Sequence, residues 1–171
     1  MSNQTQAIIL MGVSGCGKTS VGKELSRTLG WPFFDGDDYH PQENVAKMAS
    51  GIPLDDADRS PWLTRLHDLI AEHLEQGQSL ILACSALKQK YRDQLMAGNP
   101  GSHFVYLKGD FNLILRRMGS RSEHYMKAEM LRSQFDALEE PAEALTVEIG
   151  KDLDLVVTEI LEKIKFMSHE V

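Results

Sequence analysis

Ile8-Ile-Leu-Met11 runs directly into Gly12-Val-Ser-Gly-Cys-Gly-Lys18-Thr19, and an amphipathic stretch with Val21, Leu25 and Leu29 on one stripe follows. The eight residues from Gly12 match GxxxxGK[ST] in the context that gives the pattern meaning, a short apolar strand before it and a helix after it. The glycines let backbone N–H groups curl around phosphate oxygens, and the helix N-terminus adds the positive end of its dipole. Lys18 supplies a movable charge for the β- and γ-phosphates, and the Thr19 hydroxyl takes one position on a Mg2+ ion. Gly12, Val13, Ser14, Gly15, Cys16, Gly17, Lys18, Thr19 and Ser20 are thus the expected nucleotide-binding residues. Cys16 is expected to be passive in the loop, or else a helix-terminal thiol of lowered pKa open to oxidation.

Outward from this loop, short apolar runs alternate with stripes of three- and four-residue spacing, the rhythm of a parallel sheet covered on both faces. Strands are expected at Ala7–Met11, Phe33–Asp35, Leu80–Cys84, Phe104–Leu107 and Leu145–Ile149. The sequence Ser60-Pro61 predicts a helix N-cap followed by proline at the first helical position. Asn99-Pro-Gly-Ser predicts a turn before the fourth strand, and Pro141 a helix stop. Two stretches exceed a minimal core, a polar insertion from Tyr39 to Arg59 and a basic-then-amphipathic segment from Arg116 to Glu140. Long insertions at strand ends commonly act as lids or binding loops. With 171 residues, no repeat and no linker, the chain is expected to form a single α/β domain over 1–171, with a substrate-binding insertion at about 39–60 and a lid at about 117–140.

Composition excludes other classes. The net charge of −7 argues against broad nucleic-acid or anionic-membrane binding, so any anion site must be local. Two cysteines, Cys16 and Cys84, have no CxxC or histidine spacing for zinc. The first residues lack a basic, then apolar, secretory pattern, which sets the expectation of a reducing cytoplasm. A GTP switch would need an Asn-Lys-x-Asp element, which is absent, and the third strand ends in Cys84-Ser85 rather than the acid of an ATPase motor.

The acids stand instead after the second strand, in Phe33-Phe34-Asp35-Gly36-Asp37-Asp38. A strand end at the switch point of an open sheet is where ligand is met. Were the backbone extended through Gly36, Asp35 and Asp37 would both face the cleft, one toward Mg2+ and one toward an acceptor hydroxyl. The alternative is that Asp37 and Asp38 cap the next helical piece. His40, Lys47, Arg59, Lys88, Lys90 and Arg92 form a cationic set suited to a carboxylate or phosphorylated small substrate, or else lie singly on solvated faces. His67, His73, His103 and His169 are expected to be structural. Arg116, Arg117 and Arg121 are placed to neutralise transition-state charge or stack on adenine, with exterior salt bridging the alternative for Arg116.

Six blocks of the chain, taken in order, resemble the bacterial gluconate kinases: Met11–Thr19, Asp35-Gly-Asp-Asp-Tyr-His-Pro41, Lys47–Leu63, Cys84-Ser-Ala-Leu-Lys-Gln-Lys-Tyr-Arg-Asp93, Tyr106-Leu-Lys-Gly109 and Met130–Pro141. The resemblance spans about Ile8 to Val157. It implies ATP-dependent phosphorylation of D-gluconate at its 6-hydroxyl, by a cytoplasmic homodimer. It also implies a fold similar to shikimate and adenylate kinases, a three-layer α/β/α P-loop kinase with a five-stranded parallel sheet in order 2-3-1-4-5 and a mobile lid. By analogy with shikimate kinase, Asp37 is the acceptor-side carboxylate and Asp35 a metal-side one, joining the Thr19 hydroxyl read from the loop. Arg59 holds the sugar-acid carboxylate or nearby hydroxyls, and His40, Lys47, Ser85, Lys88, Arg92 and Gln134 are further substrate contacts. Lys18, Asp37, Arg117 and Arg121 form the catalytic set, Arg117 touching nucleotide too. Cys16 departs from the serine common there, and Gly119–Tyr125 is less patterned than the rest. Kinases for another small hydroxy acid or a nucleoside monophosphate, and a nucleotide-dependent switch, stand as rivals.

Overall fold

The computed structural model describes residues 4–119 and 124–167. Along the chain come β1 (Ala7–Met11), α1 (Lys18–Leu29), β2 (Phe33–Asp35), a 3-10 turn (Gly36–Tyr39), α2 (Gln42–Ala49), α3 (Asp56–Glu75), β3 (Leu80–Ala83), α4 (Gln89–Met96), β4 (Ser102–Lys108), α5 (Phe111–Met118), α6 (His124–Ala137), β5 (Leu145–Glu148) and α7 (Leu153–Met167). The strands pair in the order β2-β3-β1-β4-β5, every pair parallel. The order 2-3-1-4-5 is the one that the resemblance implies.

The central strand shows why the run Ala7–Met11 forms as it does. A strand covered on both faces must be apolar at every position, and all five residues are fully buried. Ile8 and Leu10 point into one layer, with Val21 and Leu25 of α1 and Ile160 of α7. Ala7, Ile9 and Met11 point into the other, with Trp62, Leu66 and Ile70 of α3 and Leu95 of α4. Removing any one large side chain here costs about 2–5 kcal/mol through lost transfer energy and the cavity left behind.

Boundaries differ in one instructive place. Helix α3 begins at Asp56, well before Ser60-Pro61, with Pro61 inside it. Asp55 is the N-cap: its Oδ1 accepts from the Asp58 N–H at 2.7 Å, while Asp58 Oδ2 accepts from the Asp55 N–H at 3.0 Å. This reciprocal box satisfies two donors at once. It outweighs the single bond lost because Pro61 has no N–H for the Ala57 carbonyl. Arg59 thereby sits on a helix rather than in a loop. Elsewhere β4 gains Ser102 and His103, the turn at Pro100-Gly101 precedes it as expected, and α6 ends at Ala137, ahead of Pro141.

Candidate active site

Between β1 and α1 the chain bends tightly around Gly12, whose φ of 148° and surroundings leave no room for a side chain. A Cβ there would stand 2.8 Å from Cys16 Sγ and 3.0 Å from the Leu107 carbonyl. Gly17 caps α1 in a left-handed conformation with no side chain covering the helix end, and no acid occupies the first turn. The α1 N–H groups and dipole are thus left for an anion. Lys18 Nζ rests on the Gly12 and Val13 carbonyls at 2.8 and 3.0 Å, a parking position inside the loop it serves. Cys16 is buried, with Sγ 3.8 Å from that ammonium. The Gly12 N–H donates to the Ser85 carbonyl at 3.2 Å, which ties the loop to the β3–α4 connection.

At the end of β2 the backbone does not continue extended. Gly36 starts the 3-10 turn, and Asp35, not Asp37 or Asp38, caps it by accepting from the Asp37 N–H at 3.0 Å. Gly36 is required for close packing, since a Cβ would lie 2.5 Å from the Ala83 carbonyl oxygen. Its own carbonyl accepts from Trp62 Nε1 at 2.7 Å. The other Asp35 oxygen takes a hydrogen bond from the Thr19 hydroxyl at 3.2 Å, so the expected metal pair does meet. Asp37 is exposed as a residue, yet its carboxyl is partly desolvated by its surroundings. That desolvation, together with the charge of Asp35, raises its pKa against the pull of Lys18 and His40.

The acceptor wall follows. His40 stacks on Trp62, centroids 4.2 Å apart, and its Nδ1 faces Asn44 Nδ2 at 3.2 Å. Asn44 is only 3% exposed and also donates from Nδ2 to the Asp58 carbonyl at 2.9 Å. A carbonyl can only accept, which fixes the amide orientation and makes His40 Nδ1 an acceptor with its proton on Nε2. Burial lowers the His40 pKa, with Arg59 adding to the effect and Asp37 opposing it. Arg59 donates to Tyr91 Oη at 3.0 Å. Tyr91 Oη and Lys90 both bond to Asp56, and Lys88 lies 3.5 Å from the same carboxylate. These partners hold the Asp56 carboxyl well below its usual range.

Three further expected substrate contacts are engaged within the chain. Lys47 is ion-paired to Asp58 at 2.7 Å, bracing α2 on the α3 cap. Arg92, 2% exposed, spends its guanidinium on the Ala86 and Glu139 carbonyls at 2.7 and 2.8 Å and on Gln89. It thereby supports Ala86, which is held at φ 45°, a strained conformation for a residue with a side chain. Gln134 bonds to Ser14. Arg117 is exposed in the last turn of α5, the end that packs on the phosphate loop, since a Cβ on Gly15 would meet Met118 Cγ at 2.7 Å. Arg121 lies outside the described residues. Asn44, Tyr91 and Ala86 escaped the sequence reading; the one available signal was the four-residue spacing of His40 and Asn44.

An anion cradle at the end of β1 and a carboxylate-lined wall at the end of β2, one strand away across β3, define a P-loop kinase for a small molecule. The family model for shikimate kinase matches residues 14–165. The thermoresistant gluconokinase of Escherichia coli K12 is 45% identical over 161 residues, covering 92% of each chain. A crystal structure of a gluconokinase from Sinorhizobium meliloti 1021 superposes with a TM-score of 0.82 at 37% identity, covering 98% of this chain and 100% of that one. Shikimate kinase from Aquifex aeolicus, at 20% identity and a TM-score of 0.61, shares the fold. The chain belongs to the gluconokinase family, within the reach of the shikimate kinase model.

Proposed function

We propose that this chain transfers the γ-phosphoryl group of ATP to the 6-hydroxyl of D-gluconate, giving 6-phospho-D-gluconate. The observation that carries the reading is the Thr19–Asp35 contact at 3.2 Å, which sets the acceptor strand's acids against the phosphate cradle. The 45% identity to a relative named a gluconokinase supplies the sugar acid. A segment at 39–60 forms the acceptor wall and one at 117–140 the lid of a single kinase domain over 1–171.

The Thr19 hydroxyl and the Asp35 carboxylate are hard oxygen donors side by side, the type Mg2+ takes. Among the described residues no cluster of three His, Cys, Asp or Glu could hold a metal; Thr19 and Asp35 would hold the ion together with phosphate oxygens and water. When bound, the ion neutralises charge on the transferring group. The chain's own residues do the rest. Lys18 leaves the Gly12 and Val13 carbonyls for the β- and γ-phosphates, and loop N–H groups hold the other oxygens. Asp37, with its raised proton affinity, orients the 6-hydroxyl and receives its proton as the bond to phosphorus forms. Because the transition state is loose, this positioning and charge stabilisation outweigh base strength. Arg59 and Lys88 meet the carboxylate of the sugar acid, His40 offers Nε2–H to a hydroxyl, and Ser85 lines the same wall. Arg117 and Arg121 spread charge from the lid side.

The test is ADP release, coupled to an optical readout, across gluconate, related aldonates, shikimate and nucleoside monophosphates. Gluconate is expected to give the highest kcat/KM. Faster turnover of shikimate or a monophosphate contradicts the substrate, and slow hydrolysis indifferent to every acceptor contradicts phosphoryl transfer altogether. The proposal carries with it the cytoplasmic homodimer implied by the gluconate kinase resemblance; light scattering on the purified chain reads the assembly, and a monomer contradicts it. No helix among the described residues is long and apolar enough to cross a membrane.

A further inference from the structure

Gln134 was expected on the substrate side, and its contacts lie elsewhere. Its Oε1 accepts from the Ser14 N–H at 2.6 Å, and its Nε2 donates to Ser14 Oγ at 2.8 Å, across 120 residues of sequence. The two bonds are mutually consistent: an N–H can only donate, which puts the amide oxygen there and leaves the NH2 for the hydroxyl. Ser14 stands between Gly12 and Gly15, both at positive φ, in the stretch of the loop with the most conformational freedom. A loop of this kind binds phosphate through the direction of its N–H groups, so whatever fixes Ser14 also fixes the arc that follows.

The same end of α6 is anchored on the other side of the cleft. Glu139 donates its N–H to the Leu87 carbonyl at 2.8 Å, and its side chain accepts from the Gln89 N–H at 3.1 Å. Arg92 bonds to its carbonyl. Leu131, one turn before Gln134, is fully buried with Ile114 of α5. The root of α6 therefore joins the phosphate loop to the β3–α4 connection.

We infer that Gln134 is a positioning residue of the nucleotide site, acting through its paired hydrogen bonds to Ser14, and not a sugar-acid contact. The inference rests on the nucleotide reading of the Gly12–Thr19 loop and is independent of the acceptor's identity. Gln134→Leu removes both bonds, while Ser14→Ala removes one and keeps the backbone bond. The experiment is ADP binding by calorimetry on wild type, both single variants and the double variant, together with KM for ATP and for gluconate. Gln134→Leu is expected to weaken ADP binding and raise the ATP KM by about tenfold, with the gluconate KM within about twofold. Ser14→Ala is expected to give about threefold, and the double variant no more than Gln134→Leu alone, since the partners share one interaction. A raised gluconate KM with unchanged ATP KM overturns the inference, as do losses in Ser14→Ala and Gln134→Leu that simply add in the double variant. Should Gln134→Leu fail to fold, unchanged ADP affinity in Ser14→Ala overturns it alone. Wild type that binds no ADP overturns the nucleotide reading itself, a distinct result.

Discussion

The two walls of the cleft are built on opposite plans. The phosphate side, in the proposed mechanism, is eight consecutive residues acting through backbone N–H groups, one lysine and one hydroxyl. The acceptor side is assembled from side chains distant in sequence: Arg59 reaches Tyr91 over 32 residues, and Lys90 reaches Asp56 over 34. A backbone-built site tolerates change at most side chains but none at its few strained glycines. A side-chain-built site distributes its function among partners that also hold the fold together. Substitutions should therefore divide cleanly on the first wall and blur catalysis with stability on the second.

The largest effect belongs to Lys18→Ala, expected to lower kcat by about 10³-fold through lost stabilisation of the transferring phosphoryl. Its thermal midpoint is expected to stay near wild type, because Lys18 Nζ bonds only to loop carbonyls and the Cys16 sulfur among the described residues. Collapse of the fold in that variant would break the comparison. Next comes Asp37→Asn, with a loss of about 10²–10⁴-fold in kcat for removal of a general base. The pH profile sharpens this. The raised Asp37 pKa means the carboxylate is lost, and turnover falls, as pH drops through a value above the ordinary one of about 4. That acid limb in kcat/KM is expected to vanish in Asp37→Asn; its persistence assigns the limb to another group.

Arg59→Ala is expected to raise the gluconate KM by about tenfold or more with little change in the ATP KM, the loss of a charged hydrogen-bond donor. The opposite split would move Arg59 to the nucleotide wall. Asn44→Ala should show the blurring. It leaves the Asp58 carbonyl and His40 Nδ1 without their donor, a cost of about 1–3 kcal/mol read by chemical denaturation. Smallest is Lys47→Ala: the ion pair with Asp58 is half open to water, so the thermal midpoint should fall by at most a few degrees. A gluconate KM raised severalfold would return Lys47 to the substrate wall.

The same contrast explains what was legible beforehand. Strand β1 is read to the residue because full burial demands an unbroken apolar run, half-buried β2 because its aromatic pair ends at an acid, and the phosphate loop because its chemistry is contiguous. Thr19 is legible from the loop pattern and Asp35 as a strand-end acid, whereas the extended backbone expected through Gly36 gives way to a 3-10 turn. The start of α3 is not, since Ser60-Pro61 carries the local signal while the Asp55–Asp58 box, two short acids in an acid-rich stretch, wins by satisfying two backbone donors. Lys47, Arg92 and Gln134 are legible as polar residues near the cleft. Whether such groups face ligand or protein depends on partners such as Asp58, the Ala86 carbonyl and Ser14, whose approach is set only by the packed sheet. Ala86 at positive φ has no signal at all, because strain of this kind is imposed by the neighbours that fix it.

The account's central claim is that the acids after β2 present an alcohol to a phosphate held between Gly12 and Thr19. A crystal structure with a non-hydrolysable ATP analogue and gluconate tests it most directly. The account predicts the 6-hydroxyl within hydrogen-bond distance of Asp37 and in line with the γ-phosphate. A hydroxyl bound away from Asp37, with the sugar acid against another wall, would contradict it.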